Sequence, residues 1–524
     1  MNPPAHPSAT RLRLGWGLAL SILALQFASR HLPCPAAVWV ADDWSNASRS
    51  PFYASALTAA ATGLQDPNRP LSMAAVELGY RLIGPRAWGW TLVSLGANSL
   101  LLLAILKMAL ELTGRRRIAA IAGVVFALLP NLTETYHWST QVLNEVSCGL
   151  LFYAASGWLW VAHLRRGGPW RLALSALAYG VGLFSYEAGI LLPGAYVLLV
   201  AWRREPFKGA LRLAPFGLVA LAYAAWRTTN AFGWNQVWHY PPHMQAGVSW
   251  EGIRWGAREV AHWWGGEHFI AAVRAGFRSF ATLPAGLRLG LLAVNALGAA
   301  GIGWGLRRLE IQEERENPAP PFHILAAAGF AGSWALAAAA ISFLSYAAPR
   351  LNVLPAIGVA LLAALALARR PSRVGTPVLC LLALLAMASN QGTAESYRQA
   401  GKWNREIFAC LQKNRDQWLG KEIVLFDTAS LRQRLPESVA VVPDPWANHG
   451  NAPLARGFTF RGMVKLAAGR KDPGAVVLHD VEHGARIDGD RLVWHARYDP
   501  SRPRTNRLAD VFIVDAAAVA AAAD

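Results

Sequence analysis

A succession of apolar stretches, each about the length that crosses a bilayer, constrains this chain more than any motif in it. They fall near residues 14–29, 88–109, 118–131, 144–163, 171–184, 188–202, 212–228, 285–306, 323–345, 352–368 and 374–390. Every second connection carries basic residues: Arg115, Arg116 and Arg117; Arg165 and Arg166; Arg203, Arg204 and Lys208; Arg307 and Arg308; Arg369, Arg370 and Arg373. Basic loops stay in the cytoplasm because they set orientation during insertion. The parity predicts about eleven crossings, a cytoplasmic N-terminus and an outer C-terminus, hence a polytopic α-helical membrane protein of the bacterial inner membrane. The first stretch follows Arg11 and Arg13 and reads as a spanning helix rather than a cleaved leader, since later segments then keep register with the charges. Segments 171–184 and 188–202 are short for full crossings and read as a tilted or broken hairpin.

Composition agrees. Only 16% of residues are charged, against about 25% in soluble domains. The net charge of +18 follows from the cytoplasmic arginines, and no basic motif of a nucleic-acid module accompanies it. The four cysteines (Cys34, Cys148, Cys380, Cys410) form no CxxC pair; Cys148 and Cys380 sit in apolar runs as packing residues, and a Cys34–Cys410 disulfide is open to the chain without being required. Gly-rich phosphate loops, zinc-ligand clusters and nucleophile elbows are absent from the sequence.

Residues 1–391 thus form a membrane domain with two long outer loops, 30–87 and 231–282, and residues 392–524 a small outer domain. The second loop, with "GWNQVWHYPPH" and "REVAHWWGGEHF", has the aromatic-rich character of helices lying in the interface plane. In the outer domain the helical spacing of Tyr397, Trp403, Ile407 and Leu411 precedes short β-like runs, "EIVLFD", "SVAVVP", "GAVVLHD", "RLVWHARY" and "ADVFIVDA", which predicts an α/β unit. The terminal "AAAVAAAAD" reads as a frayed tail.

Charged groups are costly near membrane depth, so acids at helix ends need a reason. On the outer side stand Asp42 and Asp43 in "AAVWVADDWSN", Glu134 and Glu145 in "LLPNLTETYHWSTQVLNEVS", and Glu187 in "GLFSYEAGILLP". Solvation in a short loop is the plain explanation for each, and pairing with an outer arginine is another for Glu187. Outward carboxylates among aromatics also suit general-base catalysis or holding a divalent cation against a phosphate leaving group. Either role serves transfer of a group from a lipid phosphate, which needs a cation of its own; Arg350 and Arg69 are placed on the outer side, where the charge rule does not explain them.

These features, in this order, resemble the GT-C superfamily of membrane glycosyltransferases, nearest the protein O-mannosyltransferases, the tetratricopeptide-bearing O-mannosyltransferases and bacterial relatives. Asp42 and Asp43 match the acidic motif of the family's first outer loop. Pro130, Glu134 and Trp138 are similar to its P-x-x-x-E-x-x-x-W pattern, Ser185, Glu187 and Pro193 to SKE-x-x-x-x-x-P, and Arg350, Leu354, Pro355 and Gly358 to RYLYLPSIG. Tyr186 replaces the usual Lys, Asn352 and Val353 stand where aromatic residues are common, and no tetratricopeptide array follows.

The resemblance implies inverting transfer of a sugar from a polyprenyl-phosphate or polyprenyl-diphosphate donor to a glycan, lipid or protein acceptor at the outer face. Asp42 or Asp43 would be the base, with Asp42 slightly favoured. Glu134, Glu145 and Glu187 would orient the acceptor, and Arg350, with Arg69, would hold the donor phosphate. A divalent cation, Mg2+ or Mn2+, is left open, with Asp43 and Glu187 as its candidate ligands. A lipid or polysaccharide transporter or flippase, and an inactive envelope scaffold, are the competing readings; the acids' position at one surface rather than at midplane favours an enzyme.

Overall fold

The computed structural model describes residues 16–32, 39, 42–66, 69–84, 86–132, 134–202, 206–230, 250–316, 322–344, 352–370, 372–435, 439–440, 452–453, 457–481, 483–496 and 499–523. The chain is a helical bundle bearing a small α/β unit at one end. The first span is α1 (Trp16–His31), followed by three loop helices, α2 (Asp42–Ala47), α3 (Ala56–Leu64) and α4 (Pro70–Ile83). Then come α5 (Ala87–Thr113), α6 (Arg116–Leu128) and α7 (Ser139–Arg166), the last π-helical over Val142–Leu150. A hairpin of α8 (Pro169–Ser185) and α9 (Leu192–Trp202) leads to α10 (Pro206–Asn230). Two amphipathic helices, α11 (Trp250–Trp264) and α12 (Glu267–Ala281), precede α13 (Ala285–Glu316), α14 (Ile324–Leu344), α15 (Val353–Ala368) and α16 (Ser372–Lys413).

Among the described residues five helices are long and apolar enough to cross a membrane: Trp88–Thr113, Ser139–Arg166, Gly209–Thr229, Ala285–Glu316 and Arg373–Lys413. Three shorter apolar helices accompany them, Glu187–Trp202, Ile324–Ala340 and Val353–Ala368. Helix α5 stops where Gly114 takes φ 70° and returns its N–H to Leu110, a left-handed cap that glycine enters without strain. Small residues let the helices meet closely, since lipid tails supply no hydrophobic drive between them. At Gly358 a Cβ would overlap the Ala331 carbonyl of α14, which gives this residue of the "LNVLPAIG" run a packing role.

Ion pairs sort the helix ends. Arg165 and Arg166, at the end of α7, both pair with Glu111 at the end of α5, and Arg117, at the start of α6, pairs with Glu310 of α13 at 3.0 Å. Three of the arginine clusters thus lie at one end of the bundle, as the charge parity predicts. At the other end buried Arg30 donates to the carbonyls of Ala127 and Leu129 and to Asn390 Oδ1 (3.0 Å), tying α1, α6 and α16 together.

The α/β unit grows out of α16, which runs without a break from the span into the unit's core. There β1 (Ile423–Phe426) is the middle strand of a parallel sheet ordered β4–β1–β8, with β4 at Val476–His479 and β8 at Val511–Val514. Two short strands, β2 (Val439–Ala440) and β3 (Ala452–Pro453), pair in parallel, and β5 (Arg486–Asp488), β6 (Arg491–Ala496) and β7 (Asp499–Arg507) form an antiparallel sheet. Helix α17 (Gly457–Ala468) packs on β4. The terminal alanines are not frayed: they form α18 (Ala516–Ala523) against α16, with Val519 buried and Asp515 accepting from the Ala518 N–H at 2.7 Å. Alanine's helix propensity and that N-terminal cap explain the difference. Cys410 is a free buried thiol in this core; Cys34, and with it the Cys34–Cys410 expectation, lies outside the described residues.

Candidate active site

Asp43 leaves the first apolar segment on the short helix α2 and is completely buried. Its Oδ1 accepts three hydrogen bonds, from the Tyr80 hydroxyl (2.5 Å), the Thr140 hydroxyl (2.8 Å) and the Thr140 N–H (2.8 Å). A buried carboxylate is tolerated when donors replace its water. Asn46, one turn further along α2, donates to Thr140 Oγ1 at 3.0 Å, and Arg49 reaches from Asn46 to Glu77 of α4 (2.7 Å). Burial holds the Glu77 carboxyl above the ordinary carboxylate range, with Arg49 and Tyr53 pulling the other way; burial and the nearby Glu77 push the Tyr53 hydroxyl up to about 12. Trp39 meets Trp44 and Tyr80 edge to face, and Tyr80 leans on Trp90, so an aromatic wall surrounds the network.

The α/β unit seats directly on this loop. Gly462 of α17 comes so close to α2 that a Cβ would stand 2.6 Å from the Trp44 carbonyl oxygen. Trp44 and Trp138 belong to the same buried cluster as Tyr397, Ile407, Phe460 and Val464. The unit is therefore packed onto the acidic loop.

The other acids are dispersed. Glu187, in the turn between α8 and α9, forms a two-pronged ion pair with Arg69, Nε to Oε2 and Nη2 to Oε1 both at 2.8 Å, and the Arg69 guanidinium lies 4.7 Å over the Tyr186 ring. Of the two explanations open for Glu187, pairing with an outer arginine is the one realised, and Arg69 is correspondingly engaged. Arg69 precedes α4 and Tyr80 lies near its far end, roughly 16 Å along the axis. Asp43 and Glu187 are thus tied to residues near opposite ends of α4, and no group of three or more metal-ligating side chains occurs among the described residues. Glu145 is buried in the π-helical part of α7, beyond Thr140 on the same helix. The backbone of Glu134 begins a short helix, Glu134–His137; its side chain, that of Asp42, and the whole of Arg350 lie outside the described residues.

Sequence reasoning missed Tyr80, Thr140 and Asn46, neutral groups that carry no signal until a fold brings them to a carboxylate. It also missed Glu77, which the criterion used for the other acids, a lone charge among apolar neighbours, would have selected. Behind the network, the His137 ring lies tilted 5.3 Å from that of Tyr397 and 5.7 Å from that of His31. Burial, reinforced by His31 and Arg30, holds its imidazole well below the ordinary range, so it is neutral at pH 7.

Beside α8 and α10 an apolar groove of about 540 Å3 is lined by Leu71, Leu177, Val181, Phe184, Leu218 and Val219 among others. Its upper residues, Leu71 and Phe184, adjoin the segments bearing Arg69 and Glu187 in the sequence. The fold and this arrangement define a polytopic helical membrane protein with a buried acidic network at one end of its bundle.

No protein-family model matches the chain, and no curated protein does. Two solved structures are similar to it, both crystal structures of ArnT from Cupriavidus metallidurans, one bound to undecaprenyl phosphate and one in the apo state. Each match covers 88% of this chain and 88% of the other, at 16% and 14% identity respectively, with a TM-score of 0.43 in both.

Proposed function

We propose that this chain is a membrane glycosyltransferase that moves a sugar from a polyprenyl-(di)phosphate donor to an acceptor hydroxyl at the outer face of the bacterial inner membrane, with inversion. The observation that carries the reading is the pinning of Asp43. One oxygen of a fully buried carboxylate is held by three donors from two other elements, which fixes the backbone of α2 more firmly than a solvated loop requires.

In this reading Asp43 is the positioning residue and its neighbour Asp42 the base. The acceptor hydroxyl gives its proton to the Asp42 carboxylate as its oxygen bonds to the anomeric carbon, and the carbon–oxygen bond to phosphate breaks with its electron pair leaving on the phosphate. The apolar groove beside Leu71 and Phe184 suits the isoprenoid chain, and a donor lying along α4 would have its lipid end near Arg69 and its sugar end near the acidic pair. Arg350 remains a candidate for the phosphate, Glu134 and Glu145 for acceptor orientation. The scheme does not require a divalent cation. The α/β unit on α2 would bound the acceptor side.

The test is transfer from a polyprenyl-phosphate sugar by Asp42→Asn and Asp43→Asn, each with its unfolding temperature in detergent. D42N is expected to lose at least about a hundredfold in rate at unchanged stability, and D43N to lose both. Full activity in D42N would remove the base; full activity in both would remove the reading.

A further inference from the structure

Helix α12 presents three faces. Ala272, Gly276, Ser279 and Phe280 are buried; Gly276 lies against Ser389 and Gly392 of α16, and Ser279 Oγ meets Ser396 Oγ at 2.9 Å. Phe269, Val273 and Phe277 form a half-buried stripe beside that face, and Ile270, Arg274 and Arg278 an exposed stripe beyond it. Together the two stripes line a groove of about 490 Å3.

The arginines are what make this groove unusual. Arg274 and Arg278 stand one turn apart on the same stripe, and neither guanidinium makes a hydrogen bond or ion pair with any described residue. Among the described residues no acid lines the groove, and Arg288 comes up to its end, donating to the Ala281 carbonyl at 2.7 Å. Around it Leu287 and Leu289 are exposed, as side chains facing lipid are. The helix also sits at the wrong end of the bundle for topology to explain its charges: it packs on the Pro130–Leu132 turn and on the part of α16 whose Asn390 holds Arg30, opposite the paired arginine clusters.

We infer that α12 carries a binding site for an anionic glycerophospholipid of the surrounding membrane, its phosphate between Arg274 and Arg278 and an acyl chain over Phe269, Val273 and Phe277. Charge complementarity selects the occupant. Two guanidiniums at headgroup level attract a phosphate, and an apolar floor continuous with the bilayer takes a chain rather than water. A zwitterionic lipid has the chain without the net charge, and inorganic phosphate has the charge without the chain. The inference is independent of the transfer chemistry.

Native mass spectrometry of the full chain, loaded in detergent with phosphatidylglycerol or phosphatidylcholine, tests it. The wild type is expected to retain phosphatidylglycerol selectively, and R274Q/R278Q to hold it about thirtyfold more weakly. Because both side chains are exposed and unpartnered among the described residues, the double variant should keep its unfolding temperature. R274K/R278K should retain most of the binding, and Val273→Trp should lose it with both charges intact by filling the groove. Equal retention by wild type and R274Q/R278Q would overturn the site. So would complete displacement by millimolar inorganic phosphate, which would mark a free-anion site, or retention of polyprenyl phosphate in place of phosphatidylglycerol, which would assign the groove to the donor.

Discussion

The Tyr80 hydroxyl donates to Asp43 Oδ1 at 2.5 Å and lies 2.9 Å from Thr140 Oγ1, so one phenol joins three separate elements of the bundle's acidic end. Tyr80→Phe deletes the donor and keeps the ring against Trp39 and Trp90. A buried acceptor that loses a partner costs about 1–3 kcal/mol. Thermal unfolding in detergent should show that loss, with a fall in transfer rate from the loosened α2. An unchanged midpoint would mean that the Thr140 donors suffice.

The Arg69–Glu187 pair is two-pronged, with both side chains only 23% exposed. Such geometry is worth more than a surface pair, and a double-mutant cycle with Arg69→Met and Glu187→Gln should return a coupling of about 1–3 kcal/mol in unfolding free energy. Either single variant leaves a partly buried charge without its two-pronged partner and should be less stable than the double variant. Additive effects would show that the pair contributes nothing.

The architecture was legible where the physics is one-dimensional. Apolar length and arginine parity marked most of the helices that form, and short β-like runs between turn-rich stretches found β1, β4, β6 and β8. Less visible was the continuity of α16, since a polar stretch after residue 390 reads as a domain boundary when it is the same helix leaving the membrane. The site was legible only in part. Asp43 stood out as a charge beside an apolar run, but Tyr80, Thr140 and Asn46 became partners through the folding of three segments, and the interdigitation of Gly462 with Trp44 has no counterpart in local pattern.

Topology has a direct check. Reporter fusions after Arg204, Arg308 and Arg370 should report the cytoplasm and one after Lys402 the outside. The pairing of Arg165 and Arg166 with Glu111 already requires the ends of α5 and α7 to share a side. A cytoplasmic signal at Lys402 would put the acidic network on the wrong face for an outer acceptor.

Glu77 predicts a pH dependence. Burial raises its carboxyl above the usual value, so between the ordinary carboxylate range and that raised value the folded chain holds a proton that the unfolded chain has released. Stability from this group is therefore present at low pH and is lost as pH rises through that window. Unfolding midpoints measured upward from about pH 4 should show wild type losing ground against Glu77→Gln, whose amide does not titrate. A difference that stays constant across the window would show that Arg49 compensates the burial fully.

The last prediction concerns the seat of the α/β unit. Any side chain at Gly462 meets the backbone of α2, 2.6 Å from the Trp44 carbonyl oxygen and 2.8 Å from the Ser45 N–H nitrogen, and backbone cannot move aside as a flexible side chain can. Gly462→Val should therefore push α17 off α2 while leaving α5, α6 and α7, with which α17 makes no extensive contact, in place. Limited proteolysis should then cut within residues 423–514 at protease levels the wild type resists, with the helical circular dichroism of the bundle retained. Transfer should fall with it if the unit bounds the acceptor side; full activity together with enhanced cleavage would show that the acidic network works without the unit seated.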